Sequence, residues 1–407
     1  PAPIIQISAM NFVLFSNLGI RGKQNIDRKI EILVHRLNRH KLKKQKKTEK
    51  MEAQIELRKI GKDIKGASDA FVKLTGVNAQ DDLRIRKKCC CPDFVKVAKS
   101  WDKKSGLECP NPTPKNPQGI GMCSPFEDSK KKIQTDVANA WSNYQSSKSS
   151  NSTCSKKLHI YLTTTNLEKN LPKNKQILDQ INCNSAFTTS CKPSTTMHIY
   201  RQEEWFKVFI HETFHCLGLD FSHLKQRTCN NIILSTFPIH TDVRLYECYT
   251  EIFAEIIHLL FFCCNKRKNE DTVFNLFKKE LKQMQTFSFF QCAKILKYYN
   301  LSINKLYHFG SHYTENTSVF SYYILKSMML FHISDFINWC SKHNKTIQFN
   351  NTQANLKEFC FFIKNTVESP KHTVYDNIIN NTIPIIRGHD DTSNIYKNLK
   401  MTIIEFP

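Results

Sequence analysis

The sequence predicts an α+β fold, mostly helical, with a small mixed sheet and a basic helical extension at the N-terminus. Three observations carry this. Two stretches ahead of the helical region are β-branched and aromatic enough for strands, Leu158–Thr163 and Thr195–Tyr200. Apolar residues at helical spacing fill most of the chain from about residue 203 onward. The first 75 residues are dominated by charge: Arg21 to Lys65 holds sixteen Lys/Arg against six Asp/Glu.

Composition narrows the classes. The chain has 407 residues, 40% of them apolar, with 28 Phe. That supply builds a sizeable core and excludes wholesale disorder. Eleven Gly and 14 Pro exclude collagen-like and Gly/Ser low-complexity classes. The net charge of +23 favours an anionic partner such as nucleic acid. A lysine-rich solvated surface, as AT-rich coding DNA would produce, fits the charge equally well. No run of about 18 apolar residues is present, so no membrane span is expected. Ile4–Ile20 lacks a basic n-region and makes a poor signal peptide. Of 16 Cys, three are consecutive (Cys89, Cys90, Cys91) and two adjacent (Cys263, Cys264). Such spacing argues against a disulfide scaffold and for a reducing, intracellular compartment.

Four segments follow from these patterns. Residues 1–75 read as a basic helical arm. Its run Lys41, Lys43, Lys44, Lys46, Lys47 is a solvated helix face or a polyanion contact, and no aromatic residue interleaves it for base stacking. Residues 76–155 form a Pro- and Cys-rich connector with one helix near Lys131–Trp141. Residues 156–265 hold the two strands, a helix over Glu203–Leu217 stopped by Gly218, and a second helix over Asp242–Phe262 with Thr241 as N-cap. Residues 266–407 form a helical lobe, with helices near Asp271–Met284, Phe287–Tyr299, Ser318–His343 and Leu356–Val367. A short strand is expected near Thr402–Phe406.

The chemistry concentrates in His211-Glu212-Thr213-Phe214-His215, an H-E-x-x-H run inside the first of these helices. Positions i and i+4 share a helix face, so His211 and His215 present two imidazoles to one point. Two neutral imidazoles from one turn form a rigid zinc chelate, and Glu212 can act as general base on water. The helix is otherwise apolar, and burying these groups is costly without partners. A third protein ligand is required. Glu247, Glu251 and Glu255 recur every four residues on the next helix, stacking three carboxylates on one face. His223 or Asp220, soon after Gly218, is the alternative.

Residues 196–258 resemble a zincin metallopeptidase. Glu251-Ile252-Phe253-Ala254-Glu255 is similar to the E-x-x-A-[DE] block of gluzincins, including the anthrax lethal factor type. The resemblance implies Zn2+ held by His211, His215 and Glu251, with Glu212 as general base. It makes Glu255 the acid that orients a liganding histidine. Glu247 competes as third ligand if the register shifts by one turn. The metzincin pattern fails, because its third histidine position is Phe221.

The same resemblance implies a Tyr or His that stabilises the oxyanion from the second lobe. Tyr323 and His312 are the leading candidates among His308, His312, Tyr313, Tyr322 and Tyr323. It also makes the strand ending at Tyr200 an edge on which an extended peptide substrate pairs. The expected function is therefore a zinc metalloendopeptidase acting on protein or peptide. The alternative is a basic structural or nucleic-acid-associated protein that keeps a zincin-like core without activity. The Lys/Asn/Ile-rich composition resembles that of large DNA virus proteins, which would place the chain in the cytoplasm or the virion. Cys216 is expected to be core rather than nucleophile. A pro-segment using Cys89–Cys91 against the metal is conceivable.

Overall fold

The structure is a computed structural model that describes residues 47, 48, 50–55, 58, 154–155, 157–172, 176–267, 269–308, 313–345, 347–387 and 394–404. Residues 1–55 and 56–407 form two separate units. The described part of the first, residues 50–55 with Lys47 and Thr48, is helical. The rest of the basic arm, the helix expected at Lys131–Trp141 and Cys89–Cys91 lie outside the described residues.

In the larger unit, the described residues from 154 onward open with a three-stranded sheet. Strand β1 (Lys157–Thr165) runs parallel to β3 (Ser194–Arg201), and β2 (Ala186–Thr188) pairs antiparallel on the other side of β3. Both expected strands form within a residue or two of their expected bounds. β2 is three residues long, too short for a periodicity signal, and follows a one-turn helix α1 (Gln180–Cys183) capped by Asp179. On one sheet face Tyr161, His198 and Phe187 stack across the three strands at 4.7 and 4.6 Å. On the other face Thr188 Oγ1 meets Cys216 Sγ at 2.8 Å, which is where the next helix packs.

That helix, α2 (Trp205–Cys216), is buried along nearly its whole length. A helix apolar on most sides belongs inside a core. It ends as expected at Gly218, whose φ is +63°. Leu219 N donates to Phe214 O and Gly218 N to His215 O, closing the last turn in a Schellman arrangement. Helix α2 starts two residues later than expected. Glu204 sits at its N-cap in the left-handed region, φ 59°, rather than in the first turn. The strain is held by three contacts: the Glu204 carboxylate pairs with Lys169 at 2.7 Å and accepts from Met401 N and Thr402 N.

Past Gly218 comes helix α3 (Arg227–Thr236). Helix α4 (Leu245–Lys266) follows, and Thr241 is not its cap but bonds Glu315. α4 packs on α2 and on α5 (Glu270–Tyr298), a single helix where two were expected. The boundary expected at 265/266 lies in the last turn of α4. Then come α6 (Ile303–His308), a π-helical segment (Phe320–Leu325), α7 (Lys326–Phe331), α8 (Ile333–His343), α9 (Gln353–Val367), α10 (His372–Arg387) and α11 (Asn394–Lys397). The C-terminal residues 399–404 form no strand. Met401, Thr402 and Ile404 are buried, with Met401 and Thr402 bound to Glu204.

Two disulfides close, Cys154–Cys191 and Cys229–Cys360, against the expectation of a reduced chain. Their partners lie 37 and 131 residues apart, so spacing held no signal. Cys263 and Cys264 are not disulfide-bonded. Among the described residues no helix is long and apolar enough to cross a membrane.

Candidate metal centre

Helices α2 and α4 lie antiparallel and face each other along two ladders of i, i+4 residues. Lys207, His211 and His215 come from α2. Glu251 and Glu247 answer them in reverse order from α4. Hydrophobic packing of Phe214 on Phe253 fixes the pair in this register, with ring centroids 5.9 Å apart.

The two imidazoles converge. His211 Nε2 and His215 Nε2 are 3.1 Å apart, and Glu247 Oε2 lies 3.1 Å from the first and 3.4 Å from the second. Among the described residues His211, His215 and Glu247 form the one group able to hold a metal ion, and all three are buried. The opposite ring nitrogens are held as well. His211 Nδ1 is 2.9 Å from Glu251 Oε2, and His215 Nδ1 bonds Asp220 Oδ2. Asp220 is fixed in turn by Ser222 N and Oγ, which donate to its other oxygen.

This arrangement sets the tautomers. A carboxylate on each Nδ1 draws the ring proton there, which leaves both Nε2 atoms as acceptors. Two acceptor nitrogens at 3.1 Å, beside a carboxylate, repel unless a cation stands among them. Burial alone would lower the histidine pKa values. Glu247 and Glu251 raise that of His211, and Asp220 and Glu247 lift that of His215 well above the usual range. Burial would raise Glu247, but the two imidazoles hold it far below the carboxylate range. The cluster is built around positive charge, and a divalent metal with N, N and O donors fits it.

Glu251 does not join the convergent atoms. Its Oε2 bonds His211 Nδ1, and its Oε1 is shared by Lys207 Nζ and Lys326 Nζ, the latter at 3.0 Å. Glu255, one turn further, takes Lys326 at 3.1 Å and Thr402 Oγ1 at 2.7 Å, with no contact to either histidine. Glu247 and Glu251, on the two nitrogens of His211, have the four-residue spacing expected of Glu251 and Glu255, one turn earlier than expected. His223 is exposed and Phe221 lies in an aromatic core with Tyr249, Phe349 and Phe359.

Glu212 is buried and lines a cavity with His211, Glu251 and Tyr322. Burial pushes its carboxyl up, with the two histidines opposing. Tyr323, the expected oxyanion partner, points elsewhere: its hydroxyl donates to Leu399 O at 2.6 Å. His312 lies outside the described residues. Tyr313 donates to Glu315 in the core. Tyr322 is the one that reaches the site, its ring 6.0 Å from that of His211. The two tyrosines are successive residues of the π-helical segment, so their side chains leave it in different directions.

The strand ending at Tyr200 is not an edge. β3 is central, flanked by β1 and β2. The strand bordering the cavity is β2, through Ala186. Cys216 is buried with its thiol pushed up to about 12 by burial, as a core residue requires.

The sequence reading missed Lys207 and Lys326. Lys207 had a signal, as a lone lysine one turn before His211 on an apolar helix. Lys326 had none, because its three acceptors, Glu251, Glu255 and Met401 O, come from distant parts of the chain. No family profile, curated protein or solved structure matches the chain.

Proposed function

We propose that this protein is a zinc-dependent metallopeptidase. The observation that carries the reading is the convergence of two Nε2 atoms and Glu247, each imidazole braced on its far side by a carboxylate, with Glu212 on the same helix beside them. His211, His215 and Glu247 would hold the metal. When bound, zinc supplies a Lewis acid that polarises a carbonyl and makes water acidic enough to react near neutral pH.

The chain's own residues do the rest. Glu212 takes a proton from the attacking water and returns it to the leaving amine, a role for which burial has raised its proton affinity. Tyr322 donates its phenolic proton toward the oxygen where negative charge develops. Glu251 and Asp220 hold the two rings in register, and Lys207 and Lys326 hold Glu251. The scheme resembles that of gluzincins, with Glu247 in the ligand position and Glu251 in the orienting one.

The test is cleavage of a mixed peptide library by the full-length zinc-loaded protein, read by mass spectrometry, beside Glu212→Gln. Cleavage that disappears in the variant while zinc stays bound supports the proposal. Equal cleavage by both, or none by either, defeats it.

A further inference from the structure

Residues 399–402 lie in no helix or strand, yet Leu399, Met401 and Thr402 are buried. Backbone outside regular structure usually stays at the surface, because inside its polar groups lack partners. Here side chains supply them. Four successive carbonyls each accept from a different side chain. Lys294 donates to Asn398 O, Tyr323 to Leu399 O, Gln291 to Lys400 O and Lys326 to Met401 O. The amides are placed as well. Leu399 N donates to Lys169 O, Lys400 N to Asn398 Oδ1, and Met401 N and Thr402 N to Glu204. Lys294 is 1% exposed, and burial lowers its pKa to about 7. Burying an ammonium is costly, and carbonyls at Ile395 and Asn398 offset that cost.

The same segment reaches both helices that carry the metal ligands. Toward α2 it acts through Glu204, the left-handed N-cap two turns before His211. The Glu204 carboxylate is held by Met401 N, Thr402 N and Lys169. Toward α4 it acts through Lys326 and Thr402. Lys326 Nζ meets three acceptors: Glu251 Oε1 at 3.0 Å, Glu255 Oε2 at 3.1 Å and Met401 O at 2.7 Å. An ammonium has three donors, so this set uses them all. Thr402 Oγ1 donates to the other oxygen of Glu255 at 2.7 Å. Glu251 in turn bonds His211 Nδ1. Only Lys326 and Glu251 stand between the Met401 carbonyl and a metal ligand.

We infer that residues 398–402 are a positioning element of the metal centre, and that their docking and metal binding favour each other. The inference rests on the metal centre of the proposed function. Docked, the segment fixes the start of α2 and the acid behind His211. Undocked, it leaves Glu204 on strained backbone with Lys169 alone, and it frees Lys326 to turn from Glu251. A metal that draws His211, His215 and Glu247 together holds α2 and α4 in the arrangement to which the segment binds. Coupling of this kind is reciprocal, so the metal tightens the segment as much as the segment tightens the metal.

The experiment titrates the full-length protein with zinc against a competing chelator. It also follows amide hydrogen exchange by mass spectrometry with and without the metal. Gln291→Met removes the donor to Lys400 O from a helix that carries no metal ligand, and should lower zinc affinity about fivefold. Thr402→Val removes the bond to Glu255 and should lower it about tenfold, with Thr402→Ser restoring most of the loss. Exchange at residues 399–404 should slow about tenfold when zinc binds, and by more than exchange in α9. Thermal melting checks that the variants fold. Unchanged zinc affinity in both Gln291→Met and Thr402→Val, or exchange at 399–404 indifferent to zinc, overturns this inference and leaves the metal centre intact. Failure of the unaltered protein to bind zinc overturns both.

Discussion

Glu247 and Glu251, one helical turn apart on α4, take opposite nitrogens of a single ring: Glu247 lies 3.1 Å from His211 Nε2 and Glu251 2.9 Å from His211 Nδ1. The two carboxylates are chemically alike and lie in similarly buried surroundings. Their roles differ only because the imidazole has two faces and the helix pitch delivers one carboxylate to each.

Metal content separates those roles. Elemental analysis should find one zinc per chain, lost in His211→Ala, His215→Ala and Glu247→Ala. Glu251→Gln should keep the metal with affinity weakened by about 10- to 100-fold, since it supports a ligand rather than being one. Complete loss in Glu251→Gln with full retention in Glu247→Ala would reverse the assignment.

Tyr322→Phe should lower kcat by about 100-fold with little change in KM, because a phenolic donor to a developing charge acts in the transition state. Tyr323→Phe removes a hydrogen bond to Leu399 O and should act on stability instead, by about 1 kcal/mol. Steady-state kinetics beside chemical denaturation distinguishes the two. Equal kinetic effects would mean that the π-helical segment does not sort them.

Glu315 sets a pH dependence away from the centre. It accepts from Tyr313 Oη and Phe320 N, and burial pushes its carboxyl from 4.5 up to about 7. Between those values the folded state binds the proton that the unfolded chain has released. Stability therefore falls as pH rises from about 4.5 to about 7. Glu315→Gln keeps an acceptor and removes the ionisation. It should flatten that slope and stabilise the protein above pH 7 by up to about 3 kcal/mol. Urea melts at pH 5 and pH 8 give the answer, and an unchanged slope would refute it.

Gly218→Ala should cost about 1–3 kcal/mol. The residue adopts φ +63°, where a Cβ is strained. An added Cβ would also meet Cys154 Sγ at 3.1 Å, an atom fixed by its disulfide to Cys191. Because His215 carries the carbonyl that Gly218 N and Cys191 N both use, metal affinity should fall too. A shift in the urea midpoint without any change in zinc affinity would show that the cap is mechanically separate from the centre.

The sequence by itself determined the elements that have strong local patterns. β1 and β3 show as β-branched runs, α2 as an apolar stretch stopped by glycine, and His211, Glu212 and His215 as spacing on one helix face. It narrowed the third-ligand candidates to the carboxylates at i, i+4 spacing on α4 and to His223 or Asp220. Tertiary structure alone chose among them. Which carboxylate meets Nε2 depends on how far α4 slides along α2, and that is set by packing such as Phe214 on Phe253 rather than by any local pattern. The same holds for β2, whose three residues are a strand only because β3 offers an edge. It holds for Tyr322 over Tyr323, which the packing of the π-helical segment on α4 and α5 decides. And it holds for Lys326 and the two disulfides, whose partners lie 37 to 131 residues away. Periodicity records which face of an element is buried, and contacts between distant faces form only when the chain closes on itself.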